Sequence, residues 1–124
     1  MRKSIFSLLA ILLFSSFIYI SLANIVNAMK SGNASEVAKY FDETVEITFS
    51  DKSTSYSKKQ AEQALNVFFV NNPVSDFEVI HQSENGDSQY CIGNLVTKKG
   101  TFRTTIYIKQ HGQKQLIQEL RFGQ

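Results

Sequence analysis

Five polar residues in the second half of the chain are of the types that line small-molecule sites. They are His81, Tyr90, Asn94, Thr104 and Gln118. A histidine beside a tyrosine can supply a general base and a proton donor or oxyanion partner. Amide and hydroxyl groups can orient a ligand against an apolar wall. Such chemistry requires the five side chains to share one surface, which depends on the elements that carry them.

The turns between the last four strand-like runs determine that surface. They are Asn85-Gly86, Lys98 to Gly100 and Gly112 to Lys114. Asn-Gly is the preferred sequence of a two-residue hairpin loop, and we expect three-residue loops at the other two turns. This register pairs His81 with Tyr90 and places the polar residues on the sheet face that packs against helices. They would line a pocket there, or else form structural hydrogen-bonded pairs in a filled core.

The same register predicts an apolar band on the opposite face of the sheet. Its members are Ile80, Cys91, Leu95, Tyr107 and Ile117. A sheet face that met only water would be more polar, so the band predicts a homodimer formed through the sheet. A moderately apolar but exposed sheet is the alternative.

A central helix is predicted between Ser57 and Pro73. Ser57 and Gln60 form the pattern of a capping box, and proline disfavours helix in the residue before it. One apolar face carries Ala61, Ala64, Leu65, Phe68 and Phe69. Two shorter helices before it and a hairpin formed by residues 45–56 complete the predicted elements.

The N-terminus has the pattern of a secretory signal peptide. Basic residues at positions 2 and 3 precede an apolar run from Ile5 to Ile20, and Ser21-Leu22-Ala23 resembles a cleavage site. We therefore expect a signal peptide over residues 1–23, a domain over residues 24–124, and export to the periplasm or the exterior. An uncleaved N-terminal membrane anchor is the alternative.

Charge and cysteine content narrow the function classes. The chain has 13 Lys and Arg against 11 Asp and Glu; two of the basic residues lie in the predicted signal, which leaves 11 of each sign. This balance does not favour nucleic-acid binding, and no membrane association is expected after cleavage. The single cysteine, Cys91, excludes an intramolecular disulfide. No metal-ligand spacing and no cofactor motif occurs.

Several segments resemble an uncharacterised family of secreted bacterial proteins with the NTF2-like (cystatin-like) fold. They are SGNASEVAKYFDETVEI, YSKKQAEQALNVFF, NPVSDFEVIHQ, YCIGNLVTKKGTFRTTIYIK and LIQELRF. The resemblance implies an α+β cone in which N-terminal helices and one long helix pack on a curved antiparallel sheet. It implies no activity, because one fold hosts many functions.

Three functions are consistent with these observations. The first is an exported, non-catalytic domain that binds a small hydrophobic or mixed-polarity ligand, or a partner protein. The second is a structural or interaction protein that dimerises through the outer sheet face. The third is a cofactor-free isomerase or dehydratase that uses His81 and Tyr90. No carboxylate lies on the predicted inner sheet face to support His81, which disfavours the third.

The signal-peptide hypothesis predicts that protein isolated from the cell envelope begins at Asn24. Mass spectrometry of the intact chain measures this directly. A terminus at Met1 or formyl-Met1 would contradict cleavage and favour the membrane anchor.

Overall fold

The structure, a computed structural model, describes residues 22–124, so nearly all of the predicted signal peptide lies outside the described residues. Helix α1 covers residues 22–31. The elements that follow are α2 (Ala34–Ala38), β1 (Phe41–Phe49), β2 (Lys52–Ser57), α3 (Lys58–Asn71), β3 (Val74–Asn85), β4 (Ser88–Thr97), β5 (Gly100–His111) and β6 (Lys114–Gly123). No helix within residues 22–124 is long and apolar enough to cross a membrane.

The predicted start of the long helix is confirmed, and a capping residue also begins the short helix before it. The Asn33 side chain accepts hydrogen bonds from the backbone N–H groups of Ser35 and Glu36, which begins α2. Ser57 and Gln60 form the reciprocal capping box at the start of α3. These bonds satisfy donors that the first turn of a helix leaves free. The long helix therefore begins where the sequence predicts.

The sheet has six strands in the order β2-β1-β6-β5-β4-β3. The predicted first hairpin and the four-stranded meander are both present, and the α+β class is confirmed. The sheet is not wholly antiparallel, because β1 runs parallel to β6. This pairing places the first hairpin beside the last strand and makes β2 and β3 the sheet edges.

The core between the sheet and α3 is filled by aromatic side chains. The Phe68 ring centroid lies 4.6 Å from that of Phe122, and 5.1 Å from those of Phe49 and Phe102. Phe69 on the same helix is buried. Rings at these separations contribute attractive contacts beyond the area that they bury. The long helix is thereby fixed to strands β1, β5 and β6.

All three later turns differ from the predicted ones: the first loop is moved by one residue, and the other two loops are one residue shorter. The closing pairs are Asn85 with Ser88, Thr97 with Gly100, and His111 with Lys114. Every loop therefore has two residues, and the first loop is Gly86-Asp87 rather than Asn85-Gly86. Gly86 is therefore at the first central position of its turn, where it has a positive φ of 63°. Hairpins with glycine at that position form a second favoured class of two-residue loop.

The shorter loop between β4 and β5 reverses the faces of β4 relative to the prediction. Cys91 pairs with Ile106, and Leu95 pairs with Phe102, all of them in the core. A register slip of one residue moves every side chain of a strand to the opposite face. The predicted inward direction of Tyr90, and of its neighbours at alternate positions, is therefore wrong.

Two bulges limit the wrong face assignments to part of the sheet. The β3–β4 pairing shifts between Val79 and His81, which leaves Ile80 as an extra residue. The β5–β6 pairing shifts between Tyr107 and Ile108, which leaves Gln118 as an extra residue. Each bulge restores the register. Phe77, Leu120 and Phe122 consequently lie on the inner face, as predicted.

Gly93 provides the space for a buried aromatic ring. A Cβ atom added at Gly93 would lie 2.6 Å from Phe77 Cζ and 2.8 Å from the carbonyl oxygen of Glu78. Phe77 is 1 % exposed, so its ring has little room to move. The glycine is therefore required by packing against the neighbouring strand.

We expect Gly93→Ala to lower the free energy of unfolding by about 1–3 kcal/mol, because it over-packs this contact. Gly123→Ala is the matched control, since the nearest atom to its added Cβ lies at 3.9 Å. Urea denaturation of both variants measures the difference. Equal stability of the two variants would show that the strands separate easily at Phe77.

Candidate functional site

The structure does not bring the five predicted pocket residues together. His81 pairs with Ile92, and Tyr90 pairs with Ser83, so the predicted His81–Tyr90 pair is wrong. By strand alternation both lie on the outer face, as does Asn94. Thr104 is buried, and its hydroxyl donates a hydrogen bond to the Phe102 carbonyl. Gln118 lies in the β6 bulge.

The structure also separates the five residues that were predicted to form a dimer face. Cys91, Leu95 and Ile117 are 0 % exposed and belong to the core, so their predicted outward direction is wrong. Burial raises the pKa of the Cys91 thiol to about 11. Ile80 is 52 % exposed in the β3 bulge, and Tyr107 is half-buried on the outer face.

The outer face, defined as the side of the sheet opposite the core, carries an aromatic pair at its centre. The ring centroids of Tyr90 and Tyr107 lie 4.8 Å apart on the paired strands β4 and β5. Ile92 and Val96 are half-buried beside them. Charged residues surround this centre. They are Glu78, Arg103, Glu119, Arg121 and Glu46.

A second polar feature lies where β1 separates from β6. The two strands pair at Phe41 with Ile117 and again at Glu46 with Glu119, so β1 carries extra residues between these points. Gln118, the bulge residue of β6, reaches across the gap. Its Nε2 donates a 3.0 Å hydrogen bond to Asp42 Oδ2. We name this feature the Asp42 junction.

Asp42 is held as a buried carboxylate at this junction. The residue is 8 % exposed, and its Oδ1 accepts a 2.7 Å hydrogen bond from the backbone N–H of Glu43. His111 Nδ1 lies 3.5 Å from Asp42 Oδ2. Burial alone would raise the pKa of Asp42, but the hydrogen bonds and His111 outweigh it and hold that pKa below its usual value. The carboxylate is therefore ionised at neutral pH.

Open clefts flank the Asp42 junction on two sides. One is lined by Glu43, Thr44, Glu46 and Ser55, and has a volume of about 390 Å³. The other also has a volume of about 390 Å³. Three lysines line it, and we name it the lysine cleft. Its lining residues are Lys39, Lys58, Lys114, His111, Phe41 and Leu116, together with Asp42 and Glu43.

Sequence reasoning missed the Asp42 junction for two reasons. Asp42 and Gln118 are 76 residues apart, and the parallel contact that joins their strands leaves no local pattern. His111 adjoins a turn glycine and resembles a solvated loop residue; its side chain is in fact 69 % exposed. Within residues 22–124, no group of three His, Cys, Asp or Glu side chains is arranged to hold a metal ion.

Comparison with known proteins now identifies the family. The model of a domain of unknown function, DUF4783, matches residues 22–123. The chain belongs to this family. A crystal structure of a DUF4783 family protein from Bacteroides ovatus is 34 % identical in sequence and has a TM-score of 0.81. The match covers 82 % of this chain and 93 % of that one.

More distant structures show the fold to which DUF4783 is related. An NTF2-like protein of unknown function from Cytophaga hutchinsonii is 11 % identical, with a TM-score of 0.59, and the match covers 82 % of this chain and 83 % of that chain. A domain with a cystatin-like fold from Nostoc punctiforme is 12 % identical, with a TM-score of 0.64, over 88 % and 75 % of the two chains. No curated protein matches the chain. The predicted family and NTF2-like fold are thus confirmed.

Substitution of Asp42 tests the electrostatics of the junction. Because the folded-state pKa is lowered, the ionised carboxylate stabilises the fold above its ordinary pKa of 3.8, and this contribution is lost as the pH falls through the lowered value. We expect Asp42→Asn to cost about 1–3 kcal/mol at pH 7 and less at pH 3. Urea denaturation at both pH values measures this.

Asp51→Asn is the control for that experiment, since Asp51 lies exposed in the β1–β2 turn. A cost for Asp42→Asn that is the same at both pH values would show that its charge does not contribute.

Proposed function

We propose that this DUF4783 protein is an exported, non-catalytic binding domain that acts through the outer face of its sheet. The observation that carries the proposal is the pair of tilted rings of Tyr90 and Tyr107 at the centre of that face. Tyrosine is enriched in protein interfaces because it combines a large apolar ring with a hydrogen-bonding hydroxyl. Tyr90 is 43 % exposed and is thus available to a partner.

The packing of the interior supports a binding site on the outer face of the sheet rather than inside the cone. The rings of Phe68, Phe102 and Phe122 occupy the region between α3 and the sheet where the predicted pocket would lie. Thr104, the one predicted pocket residue on that face of β5, has its hydroxyl bonded to the backbone. The apolar groups of Tyr90, Ile92 and Val96, by contrast, remain accessible on the outer face.

The partner that fits this face is a second copy of the chain. Arg103 and Tyr107 lie two positions on either side of Thr105 on the same strand and the same face. A two-fold axis that crosses the strand at Thr105 would place Arg103 of one copy over Tyr107 of the partner subunit. Arginine over a tyrosine ring is a favourable cation–π contact, and a two-fold interface repeats it twice.

The size of the face also agrees with a dimer. Five strands spaced at about 4.8 Å and about 30 Å long give roughly 700 Å² of flat area. A stable interface buries about 800 Å² on each partner. The face is therefore close in size to a standard interface, in which each partner buries about 600 to 1,000 Å².

The expected result is a dimer at tens of micromolar in sedimentation velocity. Ile92→Glu should convert it to a monomer, because it buries a charge at the centre of the interface. Val70→Glu is the matched control; Val70 is 68 % exposed on α3, and the variant should remain dimeric. A monomeric wild-type protein, or an Ile92→Glu variant that still dimerises, would refute the proposal.

A further inference from the structure

The lysine cleft is built from four separate elements of the fold. Lys39 follows α2, Lys58 begins α3, His111 ends β5 and Lys114 begins β6. Their sequence separation hides the group from any local pattern, and the fold brings three lysines and a histidine around one concave surface. The cleft has a volume of about 390 Å³, which is within the range of small-molecule sites.

The cleft also has an apolar component. Phe41, which is 2 % exposed, and the half-buried Leu116 line it beside the cationic groups. A ligand that used the whole cleft would therefore combine an anionic group with a short apolar portion.

Two of the three lysines that line the cleft form no ion pair among the residues that the structure describes. Asp42 Oδ2 accepts from Gln118, and its Oδ1 accepts from the Glu43 backbone. Glu43 also lines the cleft, with its own side chain exposed. Lys39 Nζ pairs with Glu36 at 3.1 Å. Lys58 and Lys114 have no carboxylate within 4.0 Å among the residues that the structure describes.

Asp42 lies beside the histidine of the cleft. His111 Nδ1 is 3.5 Å from Asp42 Oδ2, and the side chain of His111 is 69 % exposed. The opposite ring nitrogen, Nε2, donates a hydrogen bond to a ligand when both ring nitrogens carry protons.

We propose that the lysine cleft binds a small organic anion, a carboxylate or phosphate group attached to a short apolar chain. Lys58, Lys114 and His111 Nε2 hold the anionic group, and Phe41 and Leu116 contact the chain. Phosphates and carboxylates are the groups that lysine and histidine donors bind through charge-assisted hydrogen bonds. The site does not depend on self-association through the outer face.

Titration with three probes of equal chain length tests the class of ligand. Hexanoate, hexyl phosphate and hexylammonium are each added to the form of the protein isolated from cells, and amide and histidine resonances are followed by NMR. We expect saturable shifts at His111 and Lys58 with at least one anion, with a dissociation constant on the order of 1 mM. Hexylammonium should produce none.

Substitutions test whether the cleft is the site. Lys58→Gln and Lys114→Gln should each weaken anion binding about two- to fivefold, the effect of losing one partly exposed charge contact. The matched control is Lys98→Gln with Lys99→Gln in the β4–β5 turn, which should leave binding unchanged. Urea midpoints of all variants establish that the fold is retained, and Lys58→Arg should restore binding.

Three results would overturn the proposal: no saturable shift with either anion, equal binding of hexylammonium, or equal weakening in the Lys98/Lys99 control. Vesicles that contain phosphatidylglycerol distinguish the source of the anion. Competition with hexyl phosphate at Lys58 would assign the anion to a lipid headgroup, and no competition would assign it to a free ligand. The titration with the three small probes decides the anionic class, and the vesicles only distinguish its two sources.

Discussion

The contact between Phe68 and the aromatic side chains of the sheet is the interaction on which the rest of the fold depends. One helical residue touches rings from β1, β5 and β6, at centroid distances between 4.6 and 5.1 Å. Two of these strands belong to the meander, and the third belongs to the first hairpin. The helix thus joins two parts of the sheet that are far apart in sequence. Their parallel junction is also where Asp42 is buried.

Local sequence signals predicted the elements well. Ser57 and Gln60 defined the start of α3, because a capping box satisfies the free donors of the first turn within four residues of chain. The apolar stripe of that helix was also predicted, with Ala61, Leu65 and Phe69 buried. Information of this kind is contained in a short segment, so a single sequence is sufficient to recover it.

The strand register and the candidate site were predicted less well, since both depend on contacts between residues that are far apart in sequence. Thr97 can be followed by a two- or a three-residue loop, and only the burial of Leu95 against Phe102 selects between them. The bulges at Ile80 and Gln118 then correct the register in part of the sheet, and nothing local indicates them. The Asp42 junction was missed for the same reason, because its partners come from both ends of the domain.

The reversal of β4 has a consequence for the chemistry of the single cysteine. Had Cys91 faced outward, it would be an accessible thiol in a chain with no second cysteine to pair with. In the core its pKa is about 11, so only about one thiol in ten thousand is ionised at pH 7. The thiolate is the form that attacks disulfides and reacts with oxidants. The fold thereby protects the protein from oxidation and from covalent cross-linking between chains, including in an oxidising compartment.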